Sequence, residues 1–299
     1  MATFLASATE IVSALGLGER LVGVSHECDY PADVAKLPRL TRARVSAPTG
    51  LGSSRAIREE VEGLVKSALA LYEVDLEALR QAAPDVLITQ DLCDVCAVRL
   101  DDVRRAAAEV LHKEVTIVSL RPTRLENVWE DVVRVGEVLG MGMTAQAIAN
   151  GLRQRVEAVA TRAKALATRP RVLAIEWIDP IMVGGLWMPE LIQKAGGTPV
   201  LAKAGEPGVV LDETVDEDEL VPDVVIVKPC GYGLEATLAE VAQIRERWPD
   251  ARWYAADGNA YFNRSGPRLV ESLEILAACV HPEAFGDLAK RHEGRFVKV

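Results

Sequence analysis

Four short, continuous apolar runs constrain the fold of this chain more than any other feature. They lie at residues 86–89, 115–118, 172–175 and 224–227. Their apolar residues follow one another instead of alternating with polar ones, which is typical of parallel strands covered on both faces. Segments with helical spacing separate the runs, for example residues 125–139. The pattern therefore predicts an α/β fold built on parallel sheets.

A recurrence in the sequence indicates two lobes of like topology. Pro-Asp-Val-Leu-Ile at residues 84–88 returns as Pro-Asp-Val-Val-Ile at residues 222–226. The offset is 222 − 84 = 138 residues, nearly half of the 299-residue chain. Chance recurrence of a common way to begin a strand is the alternative interpretation.

A long helix is predicted between the two lobes, over residues 144–168. One apolar stripe at spacings of four and three defines it: Ile148, Leu152, Val156, Val159, Ala163 and Leu166. The predicted organisation is an N-terminal lobe at 1–125, a linking helical segment at 126–169, and a C-terminal lobe with a closing helix and tail at 170–299. Near the N-terminus, Ser7 and Glu10 have the spacing of a capping box, which predicts that a helix begins there.

Composition excludes several classes of function. The chain has 34 Lys and Arg against 44 Asp and Glu, a net charge of −10, which argues against a nucleic-acid partner. Apolar residues make up 49% of the chain, enough for a sizeable core. No apolar run approaches the roughly 18 residues of a membrane span, so no membrane insertion is predicted. The first residues lack the pattern of a secretion signal, and we therefore expect a cytoplasmic protein. The oligomeric state is left open.

Cysteine placement suggests a metal site. Cys28 follows a short apolar segment at residues 21–24, Cys93 and Cys96 follow the run at 86–89, and Cys230 follows the run at 224–227. Cys279 falls inside a predicted helix as a core residue. Ligands of open α/β sheets bind outside the carboxyl ends of the strands. Four thiolates suit zinc or an iron–sulfur cluster, and the C-x-x-C spacing of Cys93 and Cys96 is a common chelating one. A redox dithiol and unligated thiols are the alternatives.

Several groups of residues resemble a known family. Ser7-Ala-Thr-Glu10, residues 22–25 and Asp29-Tyr30-Pro31 resemble the N-terminal lobe of the class III substrate-binding proteins of ABC importers. The vitamin B12-binding and iron-siderophore-binding members are the most similar. Later landmarks match at residues 187–197 and at Phe262-x-Arg264-x2-Pro267-Arg268, so the likeness covers residues 3–281. The resemblance implies two Rossmann-like lobes, a linking helix, a ligand cleft between the lobes, and a corrinoid as one possible ligand.

The resemblance and the strand ends together give a set of candidate ligand-binding residues. They are Thr9, His26, Glu27, Tyr30, Gln90, Glu176, Trp177, Tyr261, Phe262, Asn263 and Arg264. This chain carries Glu27, Gln90 and Glu176 at several positions where corrinoid-binding members have aromatic residues. His26 could serve as a ligand, an acid–base group or an orienting group, or be an ordinary loop histidine. Glu176 could handle protons or simply bond to backbone amides at a strand end.

Three classes of function fit these observations. The first is a cytoplasmic protein that binds a corrinoid or another metal-bearing small molecule, a variant of the family with extra cysteines. The second is a metal or iron–sulfur protein, possibly an enzyme, that uses the four cysteines. The third is the substrate-binding component of an importer. Catalytic residues are not identified by the sequence.

Overall fold

The chain forms two compact units, each of which has its own sheet. A computed structural model describes residues 1–45, 53–66, 71–92, 98–216 and 219–299. Unit 1 comprises the described residues of 1–47, 57–122 and 127–150. Unit 2 comprises the described residues of 48–56, 123–126 and 151–299. The chain passes from one unit to the other within three helices, so neither unit is one continuous segment.

Unit 1 is an α/β unit around a parallel sheet. Its sheet has the order β2-β1-β5-β6, and a separate antiparallel pair is formed by β3 and β4. The strands are β1 (Ala2–Thr3), β2 (Gly23–Val24), β3 (Thr41–Ala43), β4 (Tyr72–Val74), β5 (Val86–Gln90) and β6 (Thr116–Leu120). The helices are α1 (Ala6–Ala14), α2 (Ser53–Lys66), α3 (Leu76–Ala82), α4 (Leu100–Val110) and α5 (Leu125–Val138), of which α2 and α5 have their first residues in unit 2.

Unit 2 contains a larger, mixed sheet. Its main order is β10-β8-β7-β11-β12-β13, and β9 pairs with β7. The strands are β7 (Arg171–Trp177), β8 (Met182–Val183), β9 (Thr198–Pro199), β10 (Val209–Val210), β11 (Val224–Val227), β12 (Arg252–Ala256) and β13 (Phe296–Lys298). The helices are α6 (Gly142–Lys164), which begins in unit 1, α7 (Met188–Lys194), α8 (Leu234–Val241), α9 (Leu269–Val280) and α10 (Gly286–Arg291).

The four predicted apolar runs are all strands, and both of their faces are covered. Leu87 packs in a core cluster with Phe4 and Leu79, whereas its neighbour Ile88 packs in a different cluster with Ile11. Successive side chains of a strand point to opposite faces, so an uninterrupted apolar run is needed when both faces are buried. The predicted α/β class with parallel strands is confirmed.

The Pro-Asp recurrence marks equivalent strands. β5 lies between β1 and β6, and β11 lies between β7 and β12, with all four pairings parallel. The recurring residues therefore precede the central strand of a three-stranded parallel motif in each unit. The two-lobe topology predicted from the recurrence is confirmed.

The predicted long helix is present as α6. It spans 23 residues, or about 35 Å at 1.5 Å per residue. It ends four residues earlier than the apolar spacing predicts, because Arg169 closes it. The guanidinium of Arg169 donates to the carbonyl oxygen of Lys164, the last residue of the helix, at 3.1 Å and to that of Leu166, just beyond it, at 2.8 Å.

The predicted capping box is wrong. Helix α1 begins at Ala6, its N-cap is Leu5, and no side chain caps it. Ser7 and Glu10 are instead buried inside the helix. Within the described residues, none of the helices combines the length and the hydropathy that a membrane span requires.

Candidate functional site

In unit 1, two predicted site residues form a buried pair behind the strand ends. Thr9 is fully buried in α1, and its hydroxyl donates to the Cys28 thiol at 3.0 Å. The Thr9 hydroxyl also lies 2.6 Å from the hydroxyl of Thr3, at the end of β1. Cys28 is 1% exposed and packs in the core cluster of α1. Thr9 and Cys28 therefore hold the loop that follows β2 against the first helix.

His26 is held by neighbouring strands of unit 1. Its Nδ1 atom lies 2.7 Å from the Thr41 hydroxyl, and its ring centroid lies 5.4 Å from that of Tyr72. Burial, and then the positive charge of Arg39, lower the pKa of His26. In the neutral imidazole, Nδ1 is engaged by Thr41 and the other ring nitrogen, Nε2, lies 4.0 Å from the Glu27 carboxylate.

The other predicted residues of unit 1 differ in exposure. Tyr30 is 47% exposed, and the Glu27 side chain is 45% exposed. Gln90 is the last residue of β5 and is buried at 8% exposure. His26, Glu27 and Tyr30 follow β2, so these residues lie at the carboxyl edge of the unit 1 sheet, where open α/β sheets bind ligands.

In unit 2, a buried lysine joins two of the predicted residues. We call Glu176, Lys228 and Asn263 the Glu176 cluster. Lys228 Nζ donates to Glu176 Oε2 at 3.0 Å and to Asn263 Oδ1 at 2.9 Å. The Lys228 side chain is 1% exposed, whereas that of Glu176 is 24% exposed. The cluster thus turns a carboxylate toward solvent and keeps the ammonium inside.

The backbone around Asn263 fixes its orientation. Asn263 Nδ2 donates to the carbonyl oxygens of Lys228 and Gly258, each at 2.9 Å. Phe262, the preceding residue, has a left-handed backbone with φ of 67°. Its carbonyl accepts from Trp187 Nε1 at 2.8 Å and its amide donates to the Ser272 hydroxyl at 2.9 Å, so this costly conformation is held from both sides.

Gly184 leaves the space that the ion pair occupies. A Cβ atom at position 184 would lie 2.9 Å from both Glu176 Oε2 and Lys228 Nζ. Any larger residue would therefore displace the two charged groups. Gly184 belongs to the segment between β8 and α7, which packs over the carboxyl end of β7.

Three of the predicted ligand contacts in unit 2 are buried. Tyr261 is 7% exposed, and the guanidiniums of Arg268 and Arg295 lie 5.3 and 5.2 Å from its ring centroid. Phe262 is 1% exposed. Both aromatic side chains are therefore largely enclosed in unit 2. Arg264 is 9% exposed and donates to Asn259 Oδ1 at 3.0 Å, which engages part of its guanidinium inside the loop.

Trp177 belongs to a second polar group of unit 2. Its ring meets that of Tyr232 edge-on, with centroids 5.6 Å apart. The Tyr232 hydroxyl lies 2.8 Å from the hydroxyl of Ser53, which donates to the Glu240 carboxylate. Glu240 also accepts from the backbone amide of Ser54 at 2.8 Å and so caps the first turn of α2.

The predicted cysteine site is not tested by the structure. Cys93 and Cys96 lie outside the described residues. Cys28 is buried in unit 1, and Cys230 is exposed in unit 2. Among the described residues, no group of three or more His, Cys, Asp or Glu side chains is arranged to hold a metal ion. Cys279 is a buried core residue of α9 as predicted, and burial raises the pKa of its thiol.

A cavity in unit 2 lies at the other edge of the sheet. It has a volume of about 470 Å³ and is lined in part by Arg171, Thr198 and Asp216. The Nε and Nη2 atoms of Arg171 donate to the carbonyl oxygens of Val221 and Leu220, so this side of the guanidinium is bound to the backbone. Because Arg171 begins β7, the cavity lies away from the carboxyl edge that positions Glu176.

Sequence reasoning missed Lys228 and the residues that cap α2. Lys228 directly follows the four buried residues of β11, and a charged residue at that position was an available signal. The Ser53–Tyr232 and Ser53–Glu240 contacts join residues 179 and 187 positions apart. No local pattern could have indicated that pairing.

The chain belongs to the periplasmic binding protein family, whose profile matches residues 2–246. An uncharacterized ABC transporter substrate-binding lipoprotein, YvrC of Bacillus subtilis (strain 168), is 21% identical over 295 residues, which covers 95% of this chain and 80% of the relative.

Solved structures of related proteins have the same fold. The periplasmic heme-binding protein RhuT from Roseiflexus sp. RS-1 in apo form is 23% identical, with a TM-score of 0.67 over 96% of this chain and 98% of that chain. The periplasmic vitamin B12-binding protein BtuF of Vibrio cholerae is 18% identical, with a TM-score of 0.61 over 97% of both chains.

The expectation of a cytoplasmic protein, and with it the cytoplasmic variant of the family, is wrong. The relatives are described as periplasmic proteins or as a lipoprotein. The expectation depended on the first residues of the sequence.

Proposed function

We propose that this chain is the substrate-binding component of an ABC importer, and that its cargo is a metal-bearing small molecule of the corrinoid or heme kind. The observation that carries the proposal is the family match over residues 2–246. The descriptions of the relatives, which name heme and vitamin B12 as ligands of those proteins, support this choice of cargo.

The position of the polar side chains agrees with a binding role. His26 and Glu27 lie at the carboxyl edge of the sheet in unit 1, and Glu176 and Asn263 lie at the carboxyl edge in unit 2. Open α/β sheets bind ligands at that edge. A transporter in the membrane is the implied protein partner.

Titration of the purified chain with hemin and with cyanocobalamin tests the proposal. Both compounds absorb visible light, so binding shifts their spectra and can be followed directly. We expect saturable binding of one of them with one ligand per chain. The variant Met143→Ala is a matched control, because Met143 is 92% exposed and far along the chain from every candidate residue. Absence of saturable binding for both compounds would contradict the proposed cargo.

A further inference from the structure

The donors of the Glu176 cluster are buried or bonded to the protein itself. The buried ammonium of Lys228 donates to Glu176 and Asn263, and at 1% exposure it cannot reach a ligand in solvent. Both N–H bonds of Asn263 Nδ2 go to backbone carbonyl oxygens. A ligand that needs donors, such as a carboxylate, finds none on these three side chains.

Only one of the two oxygens of the Glu176 carboxylate accepts a hydrogen bond within the cluster. Glu176 accepts through Oε2, and among the described residues Lys228 is its hydrogen-bond partner. The Glu176 side chain is 24% exposed, so its other oxygen remains available to solvent. An ionised carboxylate forms stronger hydrogen bonds than a neutral acceptor does. The exposed side of the cluster is therefore an acceptor with negative charge.

We propose that the Glu176 cluster selects the ligand by its hydrogen-bond donors: the group bound there is a carboxamide, a hydroxyl or an ammonium, and a carboxylate is rejected. Lys228 is the positioning residue, because it anchors one oxygen of Glu176 and leaves the other free. The inference rests on the proposed function. It narrows the cargo from any metal-bearing small molecule to one that carries hydrogen-bond donors at its periphery.

The test compares two probes on two forms of the protein. Cyanocobalamin carries carboxamides on its rim, and hemin carries two propionate carboxylates. The double variant Glu176→Gln/Lys228→Met removes both charges together, which avoids leaving a buried charge unpaired. Its glutamine amide can donate as well as accept. We expect wild-type protein to prefer cyanocobalamin, and the double variant to bind cyanocobalamin about 10- to 100-fold more weakly, the loss typical of a hydrogen bond to a charged group.

A second variant keeps the test decisive if the double variant does not fold. Gly184→Ala places a Cβ atom 2.9 Å from both charged groups, so it should displace Glu176 and weaken cyanocobalamin binding. Gly286→Ala is its control, because a Cβ atom there meets nothing within 4 Å. Wild-type preference for hemin, or an unchanged preference in the folded variants, would overturn the inference alone. Binding of neither probe by wild-type protein would overturn the proposed function together with the inference.

Discussion

Asp131 is a buried carboxylate that the fold satisfies only in part. One oxygen accepts from the Arg134 guanidinium at 2.6 Å, while within the described structure the other is buried without a partner. Burial raises the pKa of Asp131 to about 6, although the charge of Arg134 acts against the rise. The folded state therefore binds this proton more tightly than the unfolded state does. The contribution of Asp131 to stability is greatest below pH 3.8 and is lost as the pH rises through about 6.

Asp131→Asn should raise stability above pH 6. The amide keeps an acceptor for Arg134 and removes the cost of a buried charge, so we expect a gain of about 1–2 kcal/mol in the free energy of unfolding at pH 8. Urea denaturation at pH 5 and pH 8 measures it. Equal pH dependence in the wild-type and variant proteins would show that Asp131 does not carry the penalty.

The predicted cysteine site can also be tested with substitutions of single residues. If Cys28, Cys93, Cys96 and Cys230 hold zinc or an iron–sulfur cluster, protein purified without oxygen will contain that metal, and Cys93→Ser and Cys96→Ser will each lower it. Cys279→Ala should leave metal content unchanged, because Cys279 is enclosed in the core of α9. Protein that contains no metal and has no visible absorbance would contradict the predicted metal site. The role of Cys28 would then be its contact with Thr9 in the core.

At the scale of elements, Glu274 connects α9 to two other helices. Its carboxylate accepts from His292 at 2.7 Å, just after α10, and from Arg155 of α6 at 3.0 Å. Arg291 lies 3.3 Å away. Burial acts to raise the pKa of Glu274, but the hydrogen bonds and charges of His292 and Arg155 outweigh it and hold the pKa at about 2.

Acid should therefore loosen the packing of α10 against α9. A carboxyl with a depressed pKa stabilises the fold fully above its unfolded value of 4.5, and this stability is lost as the pH falls toward 2. We expect Glu274→Gln to lower the free energy of unfolding at pH 7 by about 2–4 kcal/mol and to flatten its dependence on pH below 4.5.

Asp287 provides the matched control for Glu274. Its pKa is also held at about 2, by hydrogen bonds from Arg162, but its side chain is 56% exposed. Water screens such a surface pair, so Asp287→Asn should leave the melting temperature almost unchanged between pH 7 and 3. A pH profile of Glu274→Gln that matches the wild type would contradict the role of the buried carboxylate.

At the scale of the whole molecule, the sequence predicted the strands and helices that have a local pattern of apolar residues. It missed the contacts between residues that are far apart in the chain. The apolar runs identified β5, β6, β7 and β11 within a few residues, because strands covered on both faces need unbroken apolar sequence. Two-residue strands such as β8 and β10 exist through their pairing with each other. Lys228 was missed because its side-chain partners lie 52 and 35 positions away. The spacing of Ser7 and Glu10 suggested a cap, but both residues are buried in α1.

Unit 2 cannot be isolated as one continuous segment of the chain without losing some of its residues. Unit 2 takes in residues 53–56 and 123–126 as well as 151–299. Glu240 of α8 caps α2 through the amide of Ser54. Glu190 of α7 does the same for α5, where it accepts from the amide of Leu125 at 2.7 Å and pairs with Arg124 at 3.0 Å. Both carboxylates thus bind short segments that arrive from elsewhere in the sequence.

A fragment of residues 151–299 should consequently be less stable than unit 2 in the full chain, even though it holds the whole sheet of that unit. Glu240 is fully buried, and without Ser53 and Ser54 it would lose both of the donors that it has among the described residues. An unpaired buried carboxylate costs several kcal/mol, so we expect a broad thermal transition at a lower temperature than in the full chain. In the fragment, Glu240→Gln should restore part of the lost stability, because it removes the unpaired charge, whereas the same change in the full chain should destabilise. Circular dichroism melts of the four proteins measure this reversal of sign, and a fragment that melts as cooperatively and at the same temperature as the full chain would contradict it.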